Sequence, residues 1–178
     1  MSTPSNIYLV GPMGAGKTSV GNQLARAKKT TFYDSDQEVE KRSGVTVSWI
    51  FEVEGEAGFR QREEAVIAEL SKMKGIVMAT GGGSVVTANN RKQLKATGTV
   101  VYLQVSFDKQ FERTNRRKGT RPLLNQPNPK EKLAKLNQER EPLYQEIADL
   151  TYSTDKLAPA ILAKRILADI KNMSRLQR

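Results

Sequence analysis

Short runs of β-branched and aliphatic residues recur along the chain at Ile7 to Val10, Thr31 to Tyr33, Gly75 to Thr80 and Thr99 to Val105, with a weaker one at Leu150 to Ser153. They have the length and composition of strands. The intervals between them are longer and carry apolar residues at helical spacing, as in Leu133, Leu136, Leu143, Tyr144 and Ile147 after Pro129. Parallel strands need crossover segments, which helices supply, so the alternation predicts an α/β fold with helices on both faces of a parallel sheet. In such open sheets ligands gather at the carboxyl ends of the strands. No internal repeat, low-complexity block or Gly/Ser linker divides the chain, and residues 1–178 are expected to form a single domain.

One interval departs from the alternation. Arg116 to Pro129 is too rich in Pro, Gly and Asn for a helix or a central strand and is expected to be a long loop. Loops of this length without secondary structure are usually either functional lids or disordered segments, and the cations Arg116, Arg117, Lys118 and Arg121 favour a lid over an idle surface loop.

Composition then removes several chemistries. With 178 residues, 38% of them hydrophobic, the chain can bury a substantial core. It has no cysteine and no histidine, which excludes disulfides, Cys/His metal sites, a cysteine nucleophile and a histidine base. Carboxylates, Lys, Arg, hydroxyls and backbone must do the work. No run of 18 or more apolar residues occurs, and Met1 to Asn6 lacks a basic and an apolar targeting region, so a soluble, cytoplasmic protein is expected. The formal charge of +10 favours acidic partners, whether nucleic acid, anionic lipid or small phosphorylated and carboxylated molecules, but does not choose among them. Scattered Lys and Arg most often simply face solvent.

The choice is made by Gly11-Pro12-Met13-Gly14-Ala15-Gly16-Lys17-Thr18, which fulfils G-x-x-x-x-G-K-[ST] directly after the first strand-like run. The glycines let the backbone curl so that N–H groups meet phosphate oxygens at a helix N-terminus. Lys17 would reach the β/γ-phosphates of a nucleoside triphosphate, and the Thr18 hydroxyl would hold Mg²⁺. Such an ion usually takes a carboxylate from a neighbouring strand end. The run ending at Thr80 leads into glycines, and Asp108 falls in a helix start. Thr31-Phe32-Tyr33, by contrast, leads straight into Asp34-Ser35-Asp36. Asp34 is therefore the expected metal-side carboxylate, and Asp36 would orient an acceptor hydroxyl and take its proton. The competing account is local, since Ser35-Asp36-Gln37-Glu38 also resembles a capping box.

Arg140 lies on the inward stripe of the helix after Pro129, where a guanidinium must be ion-paired or line a polar cavity. Arg60 is ambiguous, because an i,i+4 pair with Glu64 would occupy it. Gly81-Gly82-Gly83 ends a buried strand on the ligand face and offers either a tight turn into a helix near Ala88 to Lys95 or a floor of backbone donors for a substrate. Together these features describe a small-molecule kinase with a negatively charged acceptor, clamped by arginines in fork geometry.

At this level the chain resembles the shikimate kinases, of the nucleoside-monophosphate-kinase-like P-loop group. Their motifs occur in order as Gly-Pro-Met-Gly-Ala-Gly-Lys-Thr, Phe-Tyr-Asp-Ser-Asp, Gly-Phe-Arg-x-x-Glu, Ala-Thr-Gly-Gly-Gly-Ser-Val, Arg-Pro-Leu-Leu and Glu-Arg-x-Pro-Leu-Tyr. The resemblance implies a three-layer sandwich around a five-stranded parallel sheet, a mobile lid over about 113–129, and ATP-dependent phosphorylation of the shikimate 3-hydroxyl on the way to chorismate and the aromatic amino acids. By matching position it implies a nucleotide cradle of Gly14, Ala15, Gly16, Lys17, Thr18 and Ser19 with Arg113 and Arg121, and catalytic roles for Lys17, Asp36 and Arg121. It further implies a shikimate site of Asp36, Arg60, Gly81, Gly82, Gly83 and Arg140, and Mg²⁺ on Thr18 and Asp34. Shikimate is then the expected partner of a monomer that binds neither nucleic acid nor membrane. The nearest rivals are related kinases acting on gluconate or a nucleotide. A GTP switch or mechanical ATPase is disfavoured, as no Asn-Lys-x-Asp or LSGGQ-type signature occurs.

Overall fold

The computed structural model describes residues 5–116 and 127–176. Five strands form one sheet: β1 (Asn6–Val10), β2 (Phe32–Asp34), β3 (Val77–Ala79), β4 (Gly98–Gln104) and β5 (Leu150–Ser153), in the order β2-β3-β1-β4-β5. Every pairing is parallel, with Leu9 of the central strand opposite Ala79 on one side and Val101 on the other. The expected architecture is thus the observed one, with boundary shifts. The second strand runs one residue further than its apolar run, so that Asp34 is its last residue. The third is shorter than Gly75 to Thr80, since Gly75 turns with φ 73°, although the Thr80 amide still donates to the Leu9 carbonyl at 3.0 Å.

Seven helices connect and flank these strands among the described residues: α1 (Lys17–Lys28), α2 (Ser35–Ser43), α3 (Val47–Leu70), α4 (Ala88–Thr97), α5 (Phe107–Asn115), α6 (Pro129–Ile147) and α7 (Pro159–Leu176). β1 is buried along its whole length, which its unbroken apolar run demands, and successive side chains feed opposite layers. Tyr8 and Val10 join Met78, Ile67, Leu94, Tyr144 and Ile147 in the layer of α3, α4 and α6. Ile7 and Leu9 join Leu24, Val101, Leu162 and Ile166 in the layer of α1 and α7. All strands point the same way, so their carboxyl ends share one rim, where the loops after β1, β2 and β3 meet.

The expected lid over 113–129 falls mostly on residues 117–126, outside the described residues, and its two ends are helical. Residues 113–115 are the last turn of α5 and Pro129 is the first residue of α6, while Arg116 is exposed and ion-paired to Glu112. Arg117, Lys118 and Arg121 lie outside the described residues.

Candidate active site

The glycine-rich stretch after β1 curls into α1 through Gly16, whose φ of 87° suits a residue with no Cβ. No acidic side chain occupies the first turn of α1, so its positive end is open to an anion. Lys17 is buried against the loop and donates Nζ to the carbonyls of Gly11 at 2.7 Å and Pro12 at 2.9 Å. The ammonium is thereby held over the cradle formed with Gly14, Ala15, Thr18 and Ser19, all of which line a cleft of about 720 Å³. Arg113 braces the cradle from α5, donating to the Gly14 carbonyl at 3.0 Å and to the Thr154 hydroxyl and carbonyl at 3.2 Å each.

Asp34 serves two neighbours with its two oxygens. Oδ1 accepts the amides of Asp36 at 3.1 Å and Gln37 at 3.3 Å, capping α2, and Oδ2 accepts the Thr18 hydroxyl at 2.9 Å. The cap is therefore Asp34, whereas the capping-box reading expects Ser35. Ser35 instead begins the helix, with its Oγ turned to accept the Gly81 amide at 2.9 Å. This displacement follows from the strand running one residue longer, which leaves Asp34 as the last residue in extended conformation.

Asp36 projects from the first turn of α2 into the cleft. Burial, reinforced by the Glu63 and Asp34 carboxylates and opposed by Lys17 and Arg60, pushes its carboxyl up to about 7. Its Oδ1 is buried with no hydrogen-bond partner among the described residues. A buried acceptor left unpaired is costly, which marks this oxygen as reserved for a ligand.

Arg60 does not pair with Glu64, which accepts from Asn89 instead. The guanidinium bonds Glu63 at 2.6 Å and Glu56 at 3.2 Å. The helix is broken at Gly55, with φ 74° and ψ 178°, and the segment after the break turns its Glu63 face beneath the triglycine. Glu63 has 0% exposure and also accepts the Ser84 hydroxyl at 2.6 Å. A Cβ on Gly81 would lie 2.6 Å from Asp36 Oδ1 and 2.9 Å from Glu63 Oε1, and one on Gly83 would strike the Arg60 guanidinium. The three glycines are thus a floor pressed onto charged side chains, and the turn they make is a short 3₁₀ segment over Ser84–Val86 before α4. Tyr144 donates its hydroxyl to the Gly82 carbonyl, and burial keeps that phenol above its ordinary range and hence protonated.

Arg140 is 6% exposed and lines the same cleft. The alternative of an internal ion pair is not realised: among the described residues no carboxylate is in contact with it. It hydrogen-bonds the Tyr144 side chain, whose hydroxyl is bound to Gly82, while the Arg60 guanidinium lies against Gly83, so guanidiniums from α3 and α6 both border the glycine floor. All expected site residues within the described segments line this one cleft. Arg121 lies outside them. Residues the pattern alone leaves without a role are Glu63, Ser84, Tyr144 and Gln110. Glu63 stands in the Gly-Phe-Arg-x-x-Glu run at i,i+3 from Arg60, a spacing that signals an ion pair, and Tyr144 reads only as part of the core stripe.

A phosphate loop on β1, an acid pair at the end of β2 and convergent arginines across one cleft define the class of P-loop phosphotransferases. Within it, residues 13–171 match the family model described as shikimate kinase. The shikimate kinase of Coxiella burnetii (strain Dugway 5J108-111) is 55% identical over 168 residues, 94% of each chain. That of Actinobacillus pleuropneumoniae serotype 5b (strain L20) is 50% identical over 173 residues, covering 97% of this chain and 99% of its own. The solved structure of the Acinetobacter baumannii shikimate kinase in complex with shikimate superposes with a TM-score of 0.92 at 50% identity, over 96% of this chain and 94% of that one. The chain belongs to the shikimate kinase family. Among the described residues no helix is long and apolar enough to cross a membrane.

Proposed function

We infer that the chain transfers the terminal phosphoryl group of ATP to the 3-hydroxyl of shikimate, giving shikimate 3-phosphate and ADP. The observation that carries this reading is Arg140, a buried guanidinium without a carboxylate partner among the described residues, set across the cleft from a phosphate loop. A buried cation with a phenol but no anion beside it is costly to fold, and a carboxylated acceptor relieves that cost by forming charge-assisted bonds. Arg60, held by Glu63, is the second arm of the clamp, and the amides and carbonyls of Gly81 to Gly83 meet the ring hydroxyls.

The oxygens of Thr18 and Asp34 lie 2.9 Å apart, hard donors from one hydroxyl and one carboxylate, a set that fits Mg²⁺ completing its shell with phosphate and water. When bound, the ion neutralises charge on the phosphates. Lys17 stabilises the transferring group, and Arg121, matched by position to the Arg-Pro-Leu-Leu motif, is proposed for the same task. Asp36 hydrogen-bonds the acceptor hydroxyl, orients it toward the terminal phosphorus and receives its proton. With a loose transition state the proton leaves late, so orientation is the larger part of its contribution. Action as a monomer is part of the same proposal, and the need for ATP supports a cytoplasmic location.

A coupled assay of ADP release with shikimate, gluconate or a nucleoside monophosphate as acceptor tests the reading. Rapid turnover is expected with shikimate alone; faster consumption of either rival overturns it.

A further inference from the structure

The phosphate loop is held from outside by two residues of α5. Besides Arg113 on the Gly14 carbonyl, Gln110, which has 0% exposure, donates Nε2 to the Met13 carbonyl at 3.0 Å. In a trans peptide the carbonyl and the following N–H point to opposite sides. Holding the Met13 carbonyl against α5 therefore turns the Gly14 amide away from α5. Gln110 is also half of a reciprocal amide pair: its Nε2 donates to Asn137 Oδ1 at 3.1 Å, and Asn137 Nδ2 donates to Gln110 Oε1 at 2.6 Å. Both Gln110 N–H groups and its carbonyl are thus occupied, and the side chain cannot shift without leaving a buried polar atom unpaired.

The pair has a particular place in the chain. α5 and α6 are the two helices that flank the 116–128 segment, and Asn137 stands one turn before Arg140 on α6. An unbroken chain of bonds thus runs from the phosphate loop through Gln110 to the helix that carries the acceptor-side arginine. A leucine pair would weld the helices as well, but only an amide can grip a backbone carbonyl and a second amide at once.

We propose that Gln110 and Asn137 are positioning residues for phosphoryl transfer. Gln110 sets the orientation of the loop peptide between Met13 and Gly14 toward the nucleotide phosphates. Asn137 holds that setting in register with the helix bearing Arg140. This rests on the reading of the cleft as an ATP and shikimate site, and neither residue belongs to the matched family motifs.

The test compares the full-length chain with Gln110→Met, which keeps the length of the side chain but loses its bonds, and with Asn137→Ala, which leaves the grip on Met13. Direct ATP and ADP binding by calorimetry, the separate KM values for ATP and shikimate, and melting temperature are measured. Gln110→Met is expected to weaken nucleotide binding about ten-fold, and Asn137→Ala about three-fold, with the shikimate KM changed by less than about two-fold in Gln110→Met. Lowered melting temperatures with nucleotide affinities within about two-fold of the parent would make the pair merely structural and overturn the proposal. If Gln110→Met does not fold, Asn137→Ala decides alone: an unchanged nucleotide affinity overturns the proposal, and a loss confined to the nucleotide supports it. Failure of the parent chain to phosphorylate shikimate would instead refute the assignment of the cleft.

Discussion

On its nucleotide side the cleft is walled mainly by one contiguous stretch, Met13 to Val20, with Arg113 and Thr154 beside it, and the loop offers mainly backbone groups at a helix start. On its acceptor side the wall is made of side chains from α2, α3 and α6 and of three glycines that follow β3. In the first wall the amides and the dipole of α1 come with the local conformation, and tertiary support is limited to the α5 side chains that grip its carbonyls. The second stores charge that the fold must tolerate: Asp36 with an unpaired oxygen, Glu63 fully buried, and Arg140 with no carboxylate among the described residues. Phosphate binding thus starts from a short segment braced by α5, whereas acceptor recognition is assembled entirely from distant elements and is correspondingly more vulnerable to changes elsewhere in the fold.

The largest effect that separates the two walls is expected for Lys17→Met, which removes the cation over the transferring group; kcat should fall roughly 10³-fold with the shikimate KM little altered. A kcat within about ten-fold of the parent would remove Lys17 from transition-state stabilisation. Asp36→Asn is expected next, lowering kcat roughly 10²-fold while ATP binding is retained. Near-normal turnover would leave Asp36 with a binding role only. On the far wall, Arg140→Ala should raise the shikimate KM about 30-fold, the loss of a charge-assisted contact, without altering ATP affinity. Equal losses for both substrates would show that the walls are not separable. Gly81→Ala is a smaller intrusion, placing a methyl 2.6 Å from Asp36 Oδ1, and should cost about ten-fold in kcat/KM for shikimate.

The smallest effect is thermodynamic and concerns only the acceptor wall. Asp36 keeps its proton up to about pH 7 when folded, against an ordinary value of 3.8. The folded chain therefore binds more protons than the unfolded one across that window, and this group's contribution makes stability fall as pH rises through it. Without nucleotide, the melting temperature of Asp36→Asn should exceed that of the parent by a few degrees at pH 8 and by little near pH 4. Parallel melting curves against pH would contradict this.

The difference between the walls also explains what was legible in the sequence. Lys17, Thr18 and the cradle follow from one motif, and the strands from apolar runs, because both depend on near neighbours. Asp34 could be singled out because it follows a strand run directly, yet its capping of α2 depended on where that strand ended, and one further extended residue moved the cap from Ser35 to Asp34. Arg140 announced itself as a charge on an apolar stripe, but whether it was paired could be settled only by what α3 and β3 bring to it. Arg60 reads as a partner of Glu64 at i,i+4, but the tertiary fold gives Glu64 to Asn89 and turns Arg60 to Glu63 beneath the glycine floor and to Glu56. Gln110 and Asn137 carry no signal at all, since an amide pair between two helices depends on their docking, which no local pattern encodes.

Position 34 admits almost no replacement. Asparagine would cap the helix as well as aspartate does, because an amide oxygen accepts the same two N–H groups, but it brings no anion to the oxygen facing Thr18. Glutamate would bring the anion and forfeit the cap, its extra methylene carrying the carboxylate past the helix start. Serine or threonine would lose the charge and fall short of Thr18. One short side chain thus welds a mechanical duty to an ionic one, so that damage to either reaches Asp36 two residues further along.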